Sequence, residues 1–217
     1  MLAACKSNKM IPACFVGCGI TKLYMILFST FWLLYIESFY PDGQQDGYKE
    51  AKQIYSNVMI VSVVFGVIFV PLFGKVADVC NPQWVLPFGF FCRALTVIMF
   101  YFSVSPNGYY AYGVSVLMVL CTGMENITVD CLILRASDKE VRGVIFGVAN
   151  ACGYMGQLCF AMGGGALFDS VGPKAPFILM GGLDLTFALI TSTLGICGVI
   201  RNDMLEKEIK RRLDAGY

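Results

Sequence analysis

Histidine is missing from the 217-residue chain altogether, and charged side chains make up only 14% of it. Without imidazole there is no histidine general base, no serine–histidine nucleophile and no histidine metal ligand. A phosphate-cradling G-x-x-x-x-G-K-[S/T] loop is also absent, so no nucleotide hydrolysis is written into the chain. Neither C-x-x-C nor a polar stretch long enough for a second, soluble domain occurs. With 16 basic and 15 acidic residues the net charge is +1, which by itself suggests neither a nucleic-acid partner nor a trap for acidic substrates; charge matters locally instead.

Apolar residues are what the chain has in excess, at 57%, far above the charged fraction and too many for water to be the main solvent. Of the ten cysteines, Cys14, Cys18, Cys92, Cys121, Cys131, Cys152, Cys159 and Cys197 lie inside apolar runs. There they act as small hydrophobes and not as a disulfide framework. Cys14 and Cys18 stand one helical turn apart and are read as packing, so no metal and no cofactor is expected.

A helix needs about 20 apolar residues to cross a ~30 Å hydrocarbon core. Runs of that order extend from Ile11 to Ile36, Val85 to Val104, Tyr110 to Leu134, Val144 to Phe168 and Ala175 to Ile200. A further run, Val58 to Phe73, reaches the length if its helix begins near Gln53 and continues toward Ala77. The expected fold is an all-α membrane protein: one transmembrane domain of six helices over 1–217, with a loop at Glu37 to Lys52 and a tail over 201–217.

Six spans put both termini on one face, and the Lys/Arg bias of short loops makes that face cytosolic. Lys6, Lys9, Lys75, Arg135, Lys139, Arg142, Arg201, Lys207, Lys210, Arg211 and Arg212 then fall inside, against Lys49, Lys52 and Lys174 outside. The apolar run beginning at Ile11 continues well past Phe15-Val16-Gly17-Cys18, which is too long for a secretory h-region, so a span and not a cleaved signal is expected. In Met204 to Leu213, Glu206/Lys210 and Glu208/Arg212 have helical spacing. The segment reads as a solvated helical tail, or as one resting on anionic lipid. Trp32, Tyr35, Tyr40, Trp84, Tyr109, Tyr110 and Tyr112 read as interfacial anchors.

Gly74-Lys75-Val76-Ala77-Asp78-Val79-Cys80-Asn81-Pro82 and Gly165-Ala166-Leu167-Phe168-Asp169-Ser170-Val171-Gly172-Pro173 share the pattern G-x-x-x-D-x-x-x-P, 91 residues apart. Both are expected in loops. Three spans separate the copies, so they fall on opposite faces and imply an inverted 3+3 repeat, about 11–104 and 110–200. That is a recurrent construction of secondary transporters.

The first copy resembles the G-x-x-x-D-R-x-G-R loop motif of the major facilitator superfamily, although Val79, Cys80, Asn81 and Pro82 replace its arginines and second glycine. Arg142-Gly143, Gly147, Gly153, Gly156 and the run Gly163 to Lys174 resemble that family's eleventh helix and the turn after it. The resemblance implies a half of the fold, nearer the C-terminal half, and a solute transporter working by alternating access. It implies an inner-gate loop at Gly74, Asp78 and Arg142, and a partner that is a second six-helix half or a second copy. The competing reading is a non-transporting subunit that uses the half-fold only for packing. The intramembrane-enzyme reading fails for want of a catalytic constellation.

Ionisable residues within spans are costly and are functional candidates by default. At 1.5 Å rise per residue, Lys22 lies ~16 Å and Glu125 ~14 Å from the inner ends of their helices. In the resembled family the first and fourth helices of a half line the cavity. Lys22 and Glu125 are thus expected to bind substrate or a coupling proton or ion, with Asn126, Thr122 and Thr128 adding hydrogen bonds; the alternative is that the two neutralise each other as a buried pair. Asp130, nearer the cytosol, reads as a relay, an inner-gate residue or a snorkelling side chain. Arg93 and Asp184 are expected to meet near the midplane, where they read as a structural ion pair; the alternative is a functional role. The Asn126-Ile127-Thr128 sequon is membrane-buried and expected to stay unglycosylated. Gly143, Gly147 and Ala151 form a small-residue ridge for helix packing or, as the resemblance implies, for docking a second half or a second copy.

Overall fold

The structure, a computed structural model, describes residues 10–40, 45–80, 82–103, 105–137 and 140–198. The tail segment Met204 to Leu213, several of the basic residues behind the orientation (Lys6, Lys9, Lys139, Arg201 and the tail lysines and arginines) and the Asp78 side chain lie outside the described residues.

Among the described residues six helices are long and apolar enough to cross a membrane. Helix α1 runs from Met10–Ile26 through a π segment, Leu27–Phe31, into Trp32–Glu37. It is followed by α2 (Gln45–Val79), α3 (Pro82–Tyr101), α4 (Tyr109–Ala136), α5 (Arg142–Val171) and α6 (Ala175–Ile196). Helices are the expected solution, because hydrocarbon offers no partner for an unpaired backbone N–H or C=O and only a helix satisfies them within one segment. Pro71 and Pro87 are accommodated inside α2 and α3. The chain is therefore an integral, multi-pass membrane protein.

Two expectations about loops are corrected. The polar stretch read as a loop from Glu37 to Lys52 is helix from Gln45 onward, where α2 begins. Ala51, Ile54 and Val58, spaced 3 and 4 apart, are all buried against the end of α1, so a narrow apolar stripe carries helix into a segment whose average is polar. The G-x-x-x-D motifs are not loops either. Gly74 to Val79 forms the last turns of α2, and Gly165 to Val171 the last turns of α5. Nothing in G-x-x-x-D stops a helix; the break comes at the end of the motif, where Pro82 opens α3 and Gly172, at φ 130°, closes α5 in a conformation that suits glycine.

Packing is most extensive between α3 and α6, α1 and α5, α2 and α4, and α3 and α4. Two apolar clusters fill the bundle. One is aromatic, with Trp32, Tyr35, Phe100 and Phe177 at its centre; Trp32 meets Phe100 at 4.4 Å and Phe100 meets Phe177 at 4.6 Å between ring centroids. Trp32 and Tyr35 are both 0% exposed, which corrects their reading as interfacial anchors: their rings are core. Trp84, Tyr109 and Tyr110 remain exposed. The second cluster gathers Leu86, Phe90, Val129, Leu132, Ile145 and Phe187.

Glycines set the α1–α5 approach, but not those of the expected ridge. A Cβ on Gly153 would stand 2.7 Å from Lys22 Cγ, and one on Gly164 would stand 2.8 Å from Phe31 Cζ. Around Gly143 and Gly147 nothing lies within 4 Å. Phe31 ends the π segment and is itself fixed edge-on against Phe160, so its ring has little freedom to withdraw. Gly164→Ala is accordingly expected to destabilise the bundle by about 1–3 kcal/mol through overpacking, measured as a lowered unfolding midpoint in detergent. An unchanged midpoint would contradict this seat.

Candidate functional site

Between the two apolar clusters the bundle holds three buried ionisable side chains. Arg93 on α3 and Asp184 on α6 are 0% exposed, and Glu125 on α4 is 1% exposed. Each interrupts a buried apolar stripe of its own helix: Phe90 and Val97 flank Arg93, Met118 and Val129 flank Glu125, and Met180 and Phe187 flank Asp184. Arg93 grips Asp184 with a two-pronged fork. Its Nε donates to Asp184 Oδ2 at 2.9 Å, and its Nη2 donates to Asp184 Oδ1. Its third nitrogen, Nη1, is ion-paired to Glu125 Oε2. The guanidinium also lies 5.2 Å from the Phe90 ring centroid, a cation–π contact. Gly89 leaves room for Glu125, since a Cβ there would come within 3.3 Å of Glu125 Cγ.

Glu125 thus has a different partner from the one its depth suggested. It pairs with Arg93, so the proposed Lys22/Glu125 pairing is corrected. Depth fixes only one coordinate of a side chain; its azimuth around the helix fixes the other. On α4, Met118, Thr122, Glu125, Val129 and Leu132 form one buried stripe at helical spacing, which turns Glu125 inward toward α3.

Lys22 and Asp130 form a second, wetter group. Lys22 is half-buried and Asp130 is exposed, and the two lie within electrostatic reach of one another. The Lys22 stem rests on Gly153, and the α5 side chain Gln157 donates from Nε2 to the Lys22 carbonyl at 2.6 Å. Asn126 is half-buried on α4, its Nδ2 donating to the Thr122 carbonyl at 3.0 Å. The Thr122 and Thr128 hydroxyls donate to the carbonyls of Met118 and Met124 of their own helix, at 2.8 and 2.7 Å. Arg93, Glu125 and Asp184 are brought together; Lys22, Asp130 and Asn126 are arrayed apart from them.

At the end where α2 passes into α3, two arginines hold helix termini. Arg135 Nη2 donates to the Ala77 carbonyl in the last turn of α2 at 3.1 Å. Arg142 Nη2 donates to the Leu134 carbonyl at 3.0 Å. Both place positive charge at helix C-termini, where the backbone dipole favours it. Arg135 was counted on the sequence only for orientation; a basic residue in the last turn of a span was the signal that it would serve here. Gln157 was also missed, and only its position one turn beyond Gly153 pointed to it. At the opposite end, Lys174 donates to the carbonyls of Tyr101 and Ser103 at 2.7 and 2.8 Å and ties α6 to the end of α3. Among the described residues no group of three or more cysteine, aspartate or glutamate side chains is placed to hold a metal ion.

Residues 45–196 match the Major Facilitator Superfamily family model. Magnetosome protein MamH of Paramagnetospirillum magneticum is 27% identical over 164 residues, covering 73% of this chain and 36% of that protein. Magnetosome protein MamZ of the same organism is 40% identical over 55 residues, 25% of this chain and 8% of its own length. Sugar phosphate exchanger 3 of Bos taurus is 29% identical over 158 residues, 66% of this chain and 31% of the exchanger. The chain thus spans about a third or less of the length of these relatives.

Proposed function

Because the chain belongs to the Major Facilitator Superfamily of membrane transporters, we propose that it forms one six-helix bundle of a secondary transporter that moves a small solute by alternating access, driven by a gradient. The observation that carries the reading is the half-exposed polar group on the α1 and α4 faces: Lys22, Asp130 and Asn126 stand where apolar lipid contact would be expected. Such groups in a span are retained where a watery pathway needs them. The solute we propose is a small anion of the phosphorylated-sugar class, in keeping with the exchanger among the relatives and with a lysine ammonium as the cation available to meet it.

Three features support the inverted 3+3 repeat. The α1–α5 pairing is mirrored by α4–α2, as an exchange of each helix with the third after it requires. Both motif copies end a helix. Arg93 and Asp184, which pair, are themselves 91 residues apart, the offset of the motif. In this reading Gly74, Asp78 and Arg142 belong to the inner gate with both termini cytosolic, and Arg135 braces the gate through Ala77.

The pathway closes against a second six-helix body, which docks on the open ridge of α5. Gly143 and Gly147 have nothing within 4 Å and Ala151 is exposed, so close helix approach is available there. Native mass spectrometry from nanodiscs tests it: the chain is expected to emerge as an association of two bundles that Gly147→Leu abolishes. A single bundle, indifferent to the substitution, would leave a packing subunit as the better account.

A further inference from the structure

We propose that the Arg93–Glu125–Asp184 cluster is a proton-binding site that carries one hydrogen ion at neutral pH. The argument is one of charge and of unmet hydrogen bonds. One guanidinium faces two carboxyl groups, all three with fully buried side chains. Among the described residues Arg93 is the basic side chain ion-paired to either acid. Were both acids ionised, the cluster would leave one uncompensated negative charge in the middle of a hydrocarbon slab, where each ion costs several kcal/mol. Added positive charge removes that cost. A metal ion would need further oxygen ligands at 2 Å or somewhat more, whereas α3 packs so closely here that even a Cβ added to Gly89 would stand 3.3 Å from Glu125 Cγ. A proton needs no such space.

The hydrogen bonds say which acid holds it. Asp184 accepts from two Arg93 nitrogens and is well supplied as a carboxylate. Glu125 has only an ion-pair contact with Arg93 Nη1, and both of its oxygens are buried with no hydrogen-bond partner. An ionised carboxylate has about four lone-pair sites to satisfy, so Glu125 is the member that carries the proton. The other titratable groups turned toward the cluster are Tyr24 from α1, Cys92 from α3 and Cys121 from α4. Binding adds one proton to one carboxylate and breaks no other bond. The site holds its proton whether or not the bundle transports; if it does, α4 carries both this site and the pathway residues Asn126 and Asp130, so a change in α4 is felt at both.

Infrared difference spectroscopy of the full chain in lipid tests this at neutral pH, with deuterium exchange to identify acid C=O bands. Wild type minus Glu125→Gln should show the loss of one protonated acid and no net loss of carboxylate. Wild type minus Asp184→Asn should show the same, because Glu125 then ionises against Arg93. The two differences are independent, so one variant that folds suffices. A loss of carboxylate signal without an acid band, in either difference, overturns the proposal.

Discussion

Arg93→Ala is expected to cost the bundle about 3–5 kcal/mol, the range for removing one member of a buried ion pair. Arg93 is 0% exposed and holds α3 to both α4 and α6, so its loss strips Asp184 of its two donors and Glu125 of its counter-charge and opens a cavity where the guanidinium stood. Glu125→Gln and Asp184→Asn each leave a one-to-one pair with Arg93 and should cost far less. The comparison is made by denaturant titration in mixed micelles, following helix content. If Arg93→Ala proves no worse than Glu125→Gln, the cluster does not hold the three helices together.

The second large effect is on the solute. Lys22→Met keeps the alkyl stem that rests on Gly153 and removes only the ammonium, so the fold should survive. A hydrogen bond to a charged group contributes about 1.5–3 kcal/mol; losing it at an anion site weakens binding about 10- to 100-fold. Exchange of labelled sugar phosphate across proteoliposomes containing the assembled protein should show this as a raised half-saturating concentration. Arg93→Ala lowers the amount of folded protein instead, and that separates the two roles. An unchanged half-saturating concentration in Lys22→Met would remove Lys22 from the pathway.

Much of the fold was legible because lipid forces a simple code. An apolar run of sufficient length must be a helix, and the spans near Ile11, Val85, Tyr110, Val144 and Ala175 were found from that alone. What the code could not give was azimuth. Lys22 and Glu125 share a depth, yet the buried stripe Met118, Thr122, Glu125, Val129, Leu132 turns one of them inward. That stripe was visible in the sequence, but in a chain apolar all round its hydrophobic contrast is faint. Average polarity hid the first turns of α2, where only Ala51, Ile54 and Val58 carry the packing signal. Trp32 and Tyr35 read as anchors because aromatic residues near a span end usually are; the aromatic partners Phe100 and Phe177, distant in sequence, draw them into the core. The Arg93–Asp184 separation of 91 residues was there to be read beside the equal motif offset.

The claim on which the account turns is that Lys22 faces water within the membrane. Lys22→Cys and, as a lipid-facing control on α3, Leu95→Cys, which is 45% exposed in the bundle, can be treated in sealed membranes with a charged, membrane-impermeant thiol reagent. The unsubstituted protein supplies the background from native cysteines. Thiolates react in water and are scarce in hydrocarbon. The account predicts labelling at position 22 well above background and none above background at position 95; equal, background-level labelling at both would contradict it.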